Sequence, residues 1–179
     1  RRIGFPWSRA MVERSRRSTG ATLCAARAAF RDGASVHLAG GTHHAFPDHG
    51  QGFCVFNDVA VAIRVLQAER LIKRAVVIEL DVHQGNGNAA LFQGNDKVQT
   101  YSVHCRSNYF SKKEKSDLDI ELPPLCTDET YLTTLKHWLR RIEEHPFDDN
   151  DQLEKQGQKP FDFIFYQAGV DIHKDERLG

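Results

Sequence analysis

Residues Ala75 to Leu80, AVVIEL, form a short and nearly unbroken apolar run, and Asp81-Val82-His83 follows at once. A run of this length bounded by polar residues is the pattern of a strand buried on both faces, which in a globular chain means a parallel sheet covered by helices. A second run, Phe161 to Gln167 (FDFIFYQ), leads in the same way into Ala168-Gly169-Val170-Asp171-Ile172-His173. Ligands of such sheets bind beyond the carboxyl ends of the strands. The polar residues at those two ends are therefore the first place to look for chemistry.

The intervening sequence alternates in the way this architecture requires. Ser8 caps a helix whose Ala-rich part, Thr19 to Phe30, stops at Asp32-Gly33. A strand is expected over Ser35 to Leu38, then a Gly- and His-rich loop from Gly40 to Cys54, of a length that is usually functional. Asn57 or Asp58 caps a helix carrying Val59, Ala62, Ile63 and Leu66. A short helix (Asn88 to Phe92), strands over Val98 to Val103 and Leu118 to Leu122, and an amphipathic helix from Tyr131 to Ile142 complete the pattern. The fold class expected is α/β, a three-layer parallel sheet with helices on both faces. Residues 1–179 read as one domain, with 147–160 as an exposed insertion, acidic, Gln-rich and without apolar periodicity.

Composition narrows the function classes. Twenty-four Lys and Arg balance 24 Asp and Glu, which argues against a general polyanion surface and so against a direct nucleic-acid partner. No apolar run reaches the ~18 residues of a membrane span, so no membrane partner is expected. Cys24, Cys54, Cys105 and Cys126 are scattered, with no Cys-x-x-Cys pair. They read as reduced thiols of an intracellular protein, in cytoplasm or nucleus.

Asp81 and His83 are separated by one residue, so a continuing strand geometry projects both side chains to one side. With Asp171 they make an oxygen, nitrogen, oxygen set suited to one divalent ion such as zinc, with a coordination position left for water. Taken alone, Asp-x-His is also the make-up of a solvated turn; the second acidic strand end and the His-His loop favour the metal. His43 and His44 titrate near neutrality and suit proton transfer at an activated water. Asp48 and His49 lie close in sequence, but four site residues from one short loop would crowd. Gly85-x-Gly87-x-x-Ala90 superficially matches a dinucleotide fingerprint, yet Asp81 to Gln84 intervene between strand and glycine. These glycines instead permit a sharp turn with Asn86 pointing inward.

Four segments together carry a resemblance: Gly40-Gly41-Thr42-His43-His44, Gly52-Phe53-Cys54-Val55-Phe56-Asn57-Asp58, Leu80-Asp81-Val82-His83-Gln84-Gly85-Asn86-Gly87 and Gln167-Ala168-Gly169-Val170-Asp171. They resemble the zinc-dependent histone deacetylase family of the arginase/deacetylase superfamily, most of all its class IV branch and bacterial relatives. The resemblance implies that Asp81, His83 and Asp171 hold Zn2+, one ion per chain. It implies that His44 is the general base and His43 its electrostatic partner, and that Gly52 and Phe53 line a narrow acyl-lysine channel. Glu79, Asp81, His83, Ser102 and Val103 match a structural monovalent-cation site, usually K+. Two departures stand out: Glu79 replaces the common aspartate, and Asn86 orients a histidine without adding charge.

The family's catalytic tyrosine lies in a Gly-rich segment downstream of the aspartate matched by Asp171, and these residues end at Gly179. A truncated catalytic domain is therefore expected, with weak activity and a tendency to self-associate through an exposed sheet edge. The expected function is metal-dependent removal of an acetyl or other acyl group, the partner being an acylated lysine protein or an acylated small amine. The alternatives are a catalytically weak metal-binding interaction domain and a binuclear manganese ureohydrolase, the latter short of carboxylates for a second ion.

Overall fold

A computed structural model of the chain describes residues 3–144 and 161–177. They fall into two compact units: residues 3–72, 85–94 and 114–116 form the first, and 73–84, 95–113, 117–144 and 161–177 the second. The expected insertion at 147–160 lies outside the described residues.

The first unit holds three helices: α1 (Arg9–Asp32), α2 (Asp58–Ala68) and α3 (Asn86–Phe92). Ser8 Oγ accepts from the Met11 amide at 3.0 Å and starts α1. Gly33, at φ 82°, ends it by donating to Ala29 O at 2.8 Å, a left-handed stop that glycine adopts without steric cost. Asn57 caps α2 by accepting from Ala60 N at 2.8 Å. The apolar residues of α2 at helical spacing, Val59, Ala62, Ile63 and Leu66, are all buried. Arg64 of α2 lies over the Phe92 ring of α3 at 5.3 Å, a cation–π contact. An ion pair joins Arg27 on α1 to Glu69 just after α2.

The strand expected over Ser35 to Leu38 does not form. Val36 is 81% and Leu38 96% exposed, so the apolar residues of the expected strand have no apolar surface to meet. The segment runs back along α1 on side-chain bonds instead. Ser35 Oγ donates to Ala25 O, Ser18 Oγ donates to Ala39 O at 2.8 Å, and His37 Nδ1 bonds Thr22 Oγ1 at 2.8 Å.

The second unit is built on a four-stranded sheet in the order β3-β2-β1-β4, with every neighbouring pair parallel. The strands are β1 (Ala75–Glu79), β2 (Val98–Cys105), β3 (Leu118–Leu122) and β4 (Phe163–Gln167). The most apolar run thus occupies a central strand, as burial on both faces demands. Helix α4 (Asp128–Glu144) sets Tyr131, Leu135 and Trp138 against Leu80, Val103, Ile120 and Leu122. The start of β4 is tied to β1 through Asp162 Oδ2, which accepts from Lys73 N at 2.6 Å and Arg74 N at 2.8 Å. β4 is the edge of the described sheet, and its Ile164 and Tyr166 side chains are exposed.

Leu66 is fully buried in the first unit. Leu66→Ala is expected to destabilise by about 2–5 kcal/mol in urea denaturation, the range for a deleted core isobutyl group that leaves a cavity. A loss below ~1 kcal/mol would mean the site collapses around the gap.

Candidate metal centre

Parallel register aligns the ends of β1 and β4, since Ala75 pairs with Phe163 and Glu79 with Gln167. The ladder continues one step further, with Leu80 N donating to Gln167 O at 2.9 Å. Beyond it the two chains deliver Asp81, His83 and Asp171 to one spot, with one donor atom from each within 4.8 Å of the others. His83 Nδ1 stands 3.0 Å from Asp81 Oδ1 and 3.0 Å from Asp171 Oδ2.

Backbone amides fix the carboxylates. His83 N donates to Asp81 Oδ1 at 2.8 Å, and Val82 N donates to Asp171 Oδ1 at 3.1 Å. The three side chains are largely buried. Hydrogen bonds that His83 donates to Asp171 and Asp81 raise its pKa to about 9, against the opposing pull of burial. The site therefore favours a positive charge between its carboxylates, and a divalent cation meets that demand as a proton does. The donor set fits zinc: two carboxylates and one imidazole, with the backbone amides holding the oxygens in place.

Gly169 makes the convergence possible. It sits at φ 56°, and a Cβ there would collide with the backbone and Cβ of Asp81. The sequence offered this glycine only as part of a motif, because its need depends on how closely two strand ends approach. Of the residues matched to a monovalent cation, Glu79 and Ser102 are register partners on β1 and β2, and both are buried. Ser102 Oγ bonds His104 Nδ1 at 3.0 Å, while Val103 is buried in the apolar cluster beneath α4.

The tandem histidines belong to the first unit. Both are buried, with ring centroids 3.9 Å apart. Asn86 Oδ1 lies 2.8 Å from His44 Nδ1 and accepts from Gly87 N at 3.0 Å, while Asn86 Nδ2 donates to Gln51 Oε1 at 2.7 Å. An oxygen facing His44 Nδ1 requires that nitrogen to carry the proton, which makes Nε2 the basic nitrogen. Gly87 lies under the histidine backbone, where a Cβ would come within 2.5 Å of His43 O and Ala45 O.

Gly52 and Phe53 take successive positive φ angles, 52° and 62°, in a tight turn that leaves the Phe53 side chain 59% exposed. Phe53 N donates to Ile3 O at 2.7 Å, and its ring lies 5.8 Å from that of Phe5. His49 pairs with its neighbour Asp48 at 2.7 Å and stacks on Phe46. Gln51 carried no separate signal in the sequence, since it acts through a contact distant along the chain.

Gly169→Ala is expected to weaken Zn2+ binding by roughly 10-fold or more, the range for disturbed support around metal ligands. Isothermal titration with the ion, alongside a circular dichroism check on the fold, reads it out. Unchanged affinity would mean the strand ends have slack to absorb a methyl group.

Comparison with known proteins bears on the family and the fold. The histone deacetylase domain matches residues 4–179. An uncharacterized protein of Picosynechococcus sp. is 45% identical over 179 residues, which is all of this chain and 55% of that protein. Histone deacetylase 2 of Arabidopsis thaliana is 27% identical over 165 residues, covering 92% of this chain and 40% of its own. The crystal structure of an HDAC homolog complexed with SAHA superposes with a TM-score of 0.69 at 32% identity, covering 81% of this chain and 42% of that one. The chain spans about half the length of the curated relatives it matches. On the α/β fold and the extent of these matches, the chain belongs to the histone deacetylase domain family.

Proposed function

We propose that this chain carries the metal and proton-transfer machinery for removing an acyl group from an amide nitrogen, that of an acylated lysine or an acylated polyamine. The observation that carries the reading is the convergence of Asp81, His83 and Asp171 donor atoms within 4.8 Å at the ends of two parallel strands. Zinc is the proposed ion; when bound, it lowers the pKa of a water towards neutrality and polarises a carbonyl. Glu79, Asp81 and Ser102, with the His83 and Val103 carbonyls, are proposed for a structural monovalent cation.

The histidines supply the proton chemistry. With Nδ1–H held by Asn86, His44 presents Nε2 to take the proton of the attacking water and return it to the leaving amine. His43 is proposed as the electrostatic partner beside it. Phe53, exposed at the tip of its turn, is proposed to flank the extended alkyl chain of the substrate.

Metal uptake and two substitutions test this reading. The protein is expected to take up one Zn2+ per chain, and chelation to abolish hydrolysis of an acetyl-lysine peptide; no metal uptake by folded protein overturns it. In a competent full-length version, His44→Ala is expected to lower turnover by ~10²-fold or more with metal content unchanged, whereas loss of the metal would place His44 among the ligands. Phe53→Ala is expected to weaken substrate use by about 1–3 kcal/mol through lost apolar contact. Unchanged kinetics in that variant would remove Phe53 from the substrate's path.

A further inference from the structure

The loop carrying His43 and His44 has no ladder or helix to hold it, yet both imidazoles are buried. The start of α2 supplies what secondary structure does not. Asp58 is fully buried, and all its hydrogen bonds come from neutral groups. Its Oδ2 accepts from Gly41 N at 2.9 Å and Thr22 Oγ1 at 2.6 Å. Its Oδ1 accepts from Thr42 N at 2.8 Å and lies 2.8 Å from Thr42 Oγ1, whose one proton is shared with Phe56 O. These bonds grip the two residues immediately before His43.

The neighbouring residue grips the other side. Asn57 spends Oδ1 on the α2 cap, and its Nδ2 reaches the opposite way to Ala45 O at 3.3 Å, one residue after His44. A carboxylate in the first turn of a helix serves the helix dipole equally well in water, so burial of Asp58 is not needed for α2. Burying it is costly unless hydrogen bonds compensate, and the bonds that compensate all tie α1 and the loop to this one side chain. Gly40 completes the arrangement: a Cβ there would sit 2.9 Å from Asp58 Oδ2 and 3.0 Å from Thr22 Oγ1.

We infer that Asn57 and Asp58 are positioning residues that clamp the backbone on either side of His43 and His44 and thereby set the His44 ring against Asn86. The inference rests on the reading of His44 as the proton-transfer residue only for its effect on turnover. The geometric part stands by itself and has its own readout.

The test uses nitrogen-15 spectra of the imidazoles in the full chain. The wild type is expected to show a single His44 tautomer with the proton on Nδ1. Asp58→Asn keeps the shape but turns an NH2 towards groups that donate. It is expected to populate both tautomers and to speed amide exchange at Gly41 and Thr42 by ~10-fold or more. Thr22→Val removes a donor to Asp58 while sparing the loop amides, and is expected to lower stability with the His44 signals unmoved. Asn57→Ser keeps a capping oxygen and loses the reach to Ala45, so it repeats the test should Asp58→Asn fail to fold. Its expected result is the same mixing of tautomers.

If these variants change stability alone, with His44 signals like those of Thr22→Val, the clamp is refuted. On an acetyl-lysine peptide, Asp58→Asn is expected to reduce kcat by ~10-fold or more at nearly constant KM. If the His44 signals shift while kcat holds, the clamp stands and the catalytic reading of His44 falls.

Discussion

The parallel register of β1 on β4 is the constraint on which the candidate metal centre depends. Glu79 opposite Gln167 places the two chain directions and their carboxyl ends in step, so Asp81 and Asp171 leave the sheet together. A slip of one residue would turn each side chain to the opposite face and separate the carboxylates. Asp162 fixes that register at the start of the strands, where it accepts from Lys73 N and Arg74 N. Gly169 permits the final approach at their end, because no side chain fits against Asp81 there. Two residues remote in chemistry from the ligands thus determine whether the ligands meet.

The histidine loop solves a different problem. A buried irregular segment must find partners for its backbone polar groups without a ladder. Here side chains supply them: Asp58 for Gly41 and Thr42, Asn57 for Ala45, and the α3 turn for His43 O, which accepts from Asn88 N at 3.2 Å. Glycines at 40 and 87 let this network close around a backbone carrying two imidazoles. Such polar networks are rigid when fully satisfied and costly when one member is lost, which makes the loop sensitive to substitutions far from either ring.

How much of this was legible in the sequence follows from how local each signal is. The β1 run, the Ser8 and Asn57 caps and the Gly33 stop are set by neighbouring residues, and they stand within a residue or so of expectation. α4 begins three residues before the expected Tyr131, because Thr127 Oγ1 accepts from Thr130 N and caps it earlier. Val36 and Leu38 are apolar as strand residues are, but a short apolar stretch cannot say whether a partner strand exists, and none pairs with them among the described residues. Asp58 reads locally as a helix cap; its burial and its hold on the loop depend on α1 lying alongside α2. The motifs around Gly87 and Gly169 do not show the close approach that requires a glycine there, because it depends on contacts distant along the chain.

His83 and His44 differ in the partner that holds each ring by hydrogen bonds. His83 faces two carboxylates, which raise its pKa to about 9. His44 faces the neutral amide of Asn86, whose orientation is fixed in turn by Gln51 and Gly87. A carboxylate in place of Asn86 would hold the same tautomer while adding a negative charge beside the ring. An amide fixes direction and adds no charge. Asn86 thus fixes which nitrogen of His44 carries the proton, while Asp81 and Asp171 set the charge that His83 faces.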